Sequence, residues 1–197
     1  REYKNEEINM DYPLTINFKK IALAQQFSMK DANGNMIFYV KQKMFKLKEE
    51  IKVYQDQNKT DQIYTIKADR IVDFSAKYTF YDAHNNPIGA VKRKGGRSLW
   101  KARYEIEGIE NELFTLEEDS AFIRFIDHYL GFITSIFVNP TYTIKRSNGT
   151  PIMKIKKKPA LMEGKFQIEL LGDIDAQEEK MILLGSVMML LLERLRG

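Results

Sequence analysis

The chain has 197 residues, 44% hydrophobic and 29% charged, with a net charge of +4. That is the composition of an ordinary globular protein with enough apolar surface for one sizeable core. Without cysteine it can form no disulfide, thiolate nucleophile or Cys-based zinc site. No apolar run reaches the roughly 20 residues that a membrane-spanning helix needs, and residues 1–12 carry no apolar leader pattern, so a cytoplasmic protein is expected.

Residues 1–17 are weakly patterned and read as a lead-in, with Tyr12-Pro13-Leu14 able to begin an edge strand; residues 18–197 read as one domain. Within that domain a unit of strand, polar turn and strand repeats over 17 residues, at Phe27–Lys43, Tyr78–Lys94 and Tyr142–Lys158. An aromatic residue opens each copy and an apolar residue follows two later, the alternation of a half-buried strand. Turns rich in Asn, Asp and Gly come next, such as Asp31-Ala32-Asn33-Gly34-Asn35, and predict hairpins. Each second strand holds an Ile (Ile37, Ile88, Ile152), a β-branched residue three later (Val40, Val91, Ile155), and then Lys-x-Lys. A degenerate copy runs from Ile51 to about Lys67, and alternation returns at 98–107 and 164–171. Roughly ten to twelve strands at hairpin spacing predict a sheet that closes on itself, because twisted open sheets rarely exceed about 10 strands.

One segment breaks this rhythm. Over about 119–138 the apolar residues follow helical spacing and predict a helical insertion, capped by Thr115 with Glu118 or by Asp119 and ended by Pro140. Its apolar face, including Phe122, Ile126, Tyr129 and Ile133, is wider than a surface helix needs. It is a candidate interaction face for a protein partner, a second copy of the chain or a membrane.

The last element is the most sharply written. From Met181 to Leu192 only Gly185 and Ser186 are not large and apolar, so a helix here has no polar face. Asp175 with Glu178 forms a capping box, and Arg194 and Arg196 suit the C-terminal end. Twelve such residues are too few to span a bilayer, so the helix must be walled by protein. The expected fold is therefore mainly β: a closed antiparallel barrel around a hydrophobic C-terminal helix. Removing the helix should unfold it.

The chain's motifs in this order resemble bacterial members of the LURP-one-related family, in the wider group that holds the tubby C-terminal domain and the phospholipid scramblases. The resemblance covers about residues 18–197. It rests on the repeated hairpins, on Tyr104-Glu105-Ile106-Glu107-Gly108, on Phe137-Val138-Asn139-Pro140-Thr141-Tyr142, and on Lys158-Pro159, Lys165-Phe166-Gln167-Ile168-Glu169 and the terminal helix. It implies a barrel of twelve strands around a central helix. Tubby-like members bind phosphoinositides and scramblases are tied to membrane lipids and calcium, but this chain carries no match to a phosphoinositide-binding or calcium-binding motif.

Catalytic chemistry finds little support in the sequence. His84 and His128 are the only histidines, and there is no Gly-x-Ser-x-Gly, P-loop or Gly-x-Gly-x-x-Gly, so no catalytic residue, metal or cofactor is expected. A filled barrel also removes the usual pocket, leaving an enzyme with a site at the rim as the third choice. The strongest surface signal is basic. Six cations and no acid lie between Lys92 and Arg103, followed by seven acids and no base between Glu105 and Asp119. Lys92, Arg93, Lys94, Arg97 and Lys101, with Lys154, Lys156 and Lys158, are candidate contacts for an anionic phospholipid surface; nucleic acid is the lesser expectation. Two plainer readings stand beside this one: the lysines guard strand edges, or the hairpin cations pair with the acidic stretch. The leading expectation is a non-enzymatic binding or scaffold module, peripheral to a membrane. The alternative is a protein-interaction or homo-oligomerisation module using the 119–138 helix.

Overall fold

In the computed structural model, residues 10–21, 24–43, 50–70, 76–94, 103–119, 140–159 and 164–196 are described. The alternating segments form twelve strands: β1 (Leu14–Ile21), β2 (Ala24–Lys30), β3 (Met36–Lys43), β4 (Glu50–Tyr54), β5 (Gln62–Ala68), β6 (Lys77–Asp82), β7 (Pro87–Lys94), β8 (Arg103–Glu107), β9 (Leu113–Glu118), β10 (Thr141–Arg146), β11 (Pro151–Lys158) and β12 (Gly164–Leu170). Each pairs antiparallel with its neighbours in sequence, and β1 pairs with β12, so the sheet closes into a barrel. One helix follows, α1 (Ala176–Arg196). The helix expected at about 119–138 lies, from residue 120 on, outside the described residues. Thr115 and Glu118 belong to β9, so they are sheet residues and not its cap. β1 begins at Leu14, inside the weakly patterned lead-in, because Leu14, Ile16 and Phe18 alternate into the core.

The 17-residue repeat is a hairpin with a bulge. Its opening aromatics, Phe27, Tyr78 and Tyr142, and the next inward residues, Met29, Phe80 and Ile144, are all buried. Register then slips: Met29 faces Phe38 while Lys30 faces Met36, Phe80 faces Gly89 while Tyr81 faces Pro87, and Ile144 faces Met153 while Lys145 faces Pro151. The residue left over in each case is the recurring Ile, at Ile37, Ile88 and Ile152. The degenerate copy does the same, with Val53 opposite Tyr64 and Tyr54 opposite Gln62, leaving out Ile63. A strict period of two would send residues three apart to opposite faces; the bulge accounts for the Ile-to-Val spacing. Bulges also bend a strand and raise its twist, which is what closure requires.

The lumen is filled by α1. Every residue from Met181 to Leu192 is buried, those other than Gly185 at most 3% exposed, and the twelve residues span about 18 Å, matching the inward rows of the strands. An eight-stranded barrel has room only for side chains, so enclosing a helix about 10–12 Å wide demands more strands. The helix runs nearest to β6, β7 and β8. Close approach there needs glycine: a Cβ at Gly185 would sit 2.6 Å from Ile106 Cδ1, and one at Gly89 would sit 2.9 Å from the Glu107 carbonyl oxygen. Elsewhere around the wall large rings fill the space, with Phe18 edge-on to Phe27 at 4.7 Å and Phe38 edge-on to Tyr64 at 5.7 Å. Ser186, fully buried, donates its hydroxyl to the Ile182 carbonyl at 2.7 Å, so the helix satisfies its own polar side chain.

Gly185→Leu puts a side chain where Ile106 already lies. We expect a loss of about 1–3 kcal/mol from overpacking, read as a lower urea midpoint. An unchanged midpoint would mean that the helix does not press on β8.

Candidate functional site

The helix is held at both ends by charged groups, because an element apolar on every side has little else to fix its position along the lumen. At its start Asp175 Oδ1 accepts the amides of Gln177 and Glu178, both at 2.9 Å, and Glu178 Oε2 accepts the Asp175 amide at 3.3 Å. The predicted capping box is present. Glu178 is also gripped by both terminal nitrogens of Arg146, whose Nη2 donates to Glu178 Oε2 at 2.9 Å and to the Asp173 carbonyl at 3.0 Å. Arg146 stands where the other two copies of the repeat have Asp31 and Asp82. Those aspartates bind the amides of their own turns, Asp31 Oδ1 accepting from Asn33 and Asn35 at 2.9 and 2.8 Å, and Asp82 Oδ1 accepting from His84 and Asn86 at 2.9 and 2.8 Å. The third copy spends this position on the helix instead.

The neighbouring carboxylates titrate in opposite directions. Arg146 hydrogen bonds hold Glu178 below the usual carboxylate range against the opposing effect of burial. Burial raises Glu179, opposed by the hydrogen bond that Tyr12 donates at 2.7 Å. Desolvation, and then this bond to Glu179, pushes the Tyr12 phenol well above its ordinary value. At the other end of the lumen Tyr104 donates to Glu193 Oε1 at 2.5 Å, and Arg93 Nε lies 4.0 Å from the same oxygen. The Arg93 and Glu193 side chains are only 7% and 10% exposed. Glu118, on the inward row of β9, is 1% exposed.

The basic residues singled out from sequence therefore do not form one surface. Arg93 points into the barrel, in step with Val91, and does not share a face with Lys92 and Lys94. Arg97 and Lys101, like the apolar face of Phe122, Ile126, Tyr129 and Ile133, lie outside the described residues. Lys92 and Lys94 are on the outer face of β7, and Lys154, Lys156 and Lys158 on that of β11, with β8, β9 and β10 between them. That separation is about 19 Å around the wall at the usual strand spacing.

Most of these lysines meet carboxylates. Lys94 pairs with Glu105 at 2.8 Å, Lys154 with Asp119 at 3.6 Å and Lys156 with Glu169 at 2.7 Å; Lys77 with Glu107 at 2.5 Å and Arg103 with Glu117 at 3.4 Å continue the ladder. The plainer reading, cations paired with the acidic stretch, thus describes this arc of the wall. Such exposed pairs contribute about 0–1 kcal/mol each, so their chief effect is to neutralise the surface.

Charge is also divided between the barrel's ends. At the end where α1 begins, the lead-in from Met10, the described turns and the strand residues bordering them carry ten carboxylates, from Asp11 to Asp175, against Lys30, Lys59 and Arg146. At the opposite end most strands finish or open in cations, Lys19 on β1, Lys41 on β3, Lys94 on β7, Lys156 to Lys158 on β11, Lys165 on β12 and Arg103 on β8, while carboxylates there lie at Glu50 on β4, at Asp69 after β5, and at Glu117, Glu118 and Asp119 on and after β9.

A family model described as LURP-one-related matches residues 36–177. A search among curated proteins found no match. Among solved structures, the X-ray structure of an Arabidopsis thaliana protein is similar to this chain, with a TM-score of 0.52 at 14% identity over 95% of this chain and 94% of that one. At that identity the likeness is one of fold.

Glu178→Gln removes the charge while keeping the shape. Because the folded pKa of Glu178 is lowered, its stabilisation is present above the unfolded carboxylate pKa, about 4.3, and is lost as pH falls through the folded value. We expect the variant to be about 1–3 kcal/mol less stable at pH 7 and equal to wild type at strongly acidic pH. A difference that persists unchanged in acid would show that the ion pair is not its source.

Proposed function

For a chain that belongs to the LURP-one-related family and fills its own barrel with a helix, we propose a non-enzymatic binding module that attaches peripherally to anionic phospholipid surfaces. The observation that carries this reading is the division of charge along the barrel axis. Carboxylates crowd the end where α1 starts, and at the other, among the described residues, lysines and arginines outnumber Glu50, Asp69, Glu117, Glu118 and Asp119. A body charged in this way turns its basic end toward a negative surface before touching it.

The non-enzymatic part rests on the lumen. In barrels that hold a small ligand the interior is the site, and here Met181–Leu192 occupies it. Among the described residues no helix is long and apolar enough to cross a membrane, so attachment by helices would be to the surface. The guarding of free strand edges is not needed in a closed barrel, which has none. That removes one competing reason for lysines at the strand ends.

Co-sedimentation with vesicles tests the proposal. Binding is expected to phosphatidylserine-containing vesicles at about 0.1 M salt and to be lost at about 1 M, as the screening length falls from roughly 10 to roughly 3 Å. Pure phosphatidylcholine vesicles should not bind. Equal binding to both kinds of vesicle, or none to the anionic ones at low salt, would overturn it.

A further inference from the structure

We infer that the surface meeting the membrane is the acid-poor arc formed by the end of β11 with β12, β1, β2 and β3, centred on Lys158, Lys165 and Lys41, and that the lysines of the β7–β11 ladder are bystanders. The inference rests on the lipid reading above and names its contact face.

The register brings these residues together. Lys158 stands directly opposite Lys165, Lys165 opposite Asn17, Lys19 opposite Gln26, and Gln26 opposite Lys41. All lie on the outer face, where Lys19, Lys41 and Lys165 are exposed and Lys158 half-buried. Between Leu14 and Lys43 there are five lysines, and the single acid, Asp31, sits in a turn at the other end of the barrel. Among the described residues β1, β2 and β3 thus bring no carboxylate to this face, while Glu105, Glu107, Glu117 and Asp119 pair with cations of the far arc. Like charges placed directly opposite on neighbouring strands disfavour folding. On the far arc Lys77 stands opposite Lys92 and Lys94 opposite Arg103, but there Glu107, Glu105 and Glu117 pair with the cations, whereas Lys165 has Lys158 on one side and Asn17 on the other.

Charge complementarity selects the occupant. From β11 to β3 the row crosses four strand spacings, about 19 Å, too wide for one small anion and suited to several headgroups at once. Its cations are all lysines, point charges that respond to a diffuse negative field. Arginine, whose fork reads phosphates bidentately in nucleic acids, is missing from the row.

Two variants with the same loss of net charge separate position from total charge. The row variant carries Lys41→Gln, Lys158→Gln and Lys165→Gln; the ladder variant carries Lys94→Gln, Lys154→Gln and Lys156→Gln. Partitioning onto phosphatidylserine-containing vesicles at about 0.1 M salt should fall roughly a hundredfold in the row variant, about fivefold per lysine, and by less than about fivefold in the ladder variant. Circular dichroism melts check that both remain folded. Equal losses, or a larger loss in the ladder variant, would overturn the assignment while leaving the lipid reading intact. Wild type that does not bind vesicles would defeat the lipid reading itself, and tighter binding to duplex DNA at the same salt would replace lipid with nucleic acid.

Discussion

A helix without a polar face can persist in water only if something surrounds it completely. That constraint organises this protein. Met181 to Leu192 present large apolar side chains in every direction, so the wall must close, and its circumference must suit a helix and not merely side chains. Twelve strands meet this need. The bulges repeated in four of the hairpins supply curvature, and the glycines at 89 and 185 let the helix lie close to β7 and β8. What apolar packing cannot do is choose the position of the helix along the lumen, since one ring of methyl groups resembles the next. Arg146 with Glu178 at one end, and Arg93 and Tyr104 with Glu193 at the other, provide that choice.

Much of this was legible in the residues. The repeat announced hairpins, the capping box announced where α1 begins, and the unbroken apolar run announced its burial. The three-residue step from Ile37 to Val40, from Ile88 to Val91 and from Ile152 to Ile155 was visible as a departure from alternation, although only the register identifies the Ile as the bulged residue. Arg146 was visible too, as the one copy of the repeat without aspartate at that position. Its role required the helix start to be brought beside the turn.

The basic surface is less legible, for a physical reason. Composition groups Lys92, Arg93 and Lys94 together, whereas a strand sends neighbours to opposite faces; counting from Val91 would have turned Arg93 inward. The neutralising ladder and the lysine row depend on which strands lie side by side. β1 and β12 are some 150 residues apart in sequence and adjacent in the barrel, so Lys165 and Lys19 reach the same region only through closure. Lysines that look equivalent in the sequence differ in what the neighbouring strands bring within reach: Lys94, Lys154 and Lys156 pair with Glu105, Asp119 and Glu169, whereas Lys165 has Asn17 and Lys158 opposite it.

With the lumen occupied, the outer wall and the two ends are the surfaces left for binding, and that holds only while α1 remains sealed. Native-state hydrogen exchange measures this directly. If the helix is the closed core, the amides of Val187 to Leu192 should exchange only through global unfolding, with protection equal to the full unfolding free energy and responding to denaturant with the same slope. Exchange of these amides through local opening, well before the strands of the wall give way, would contradict the account.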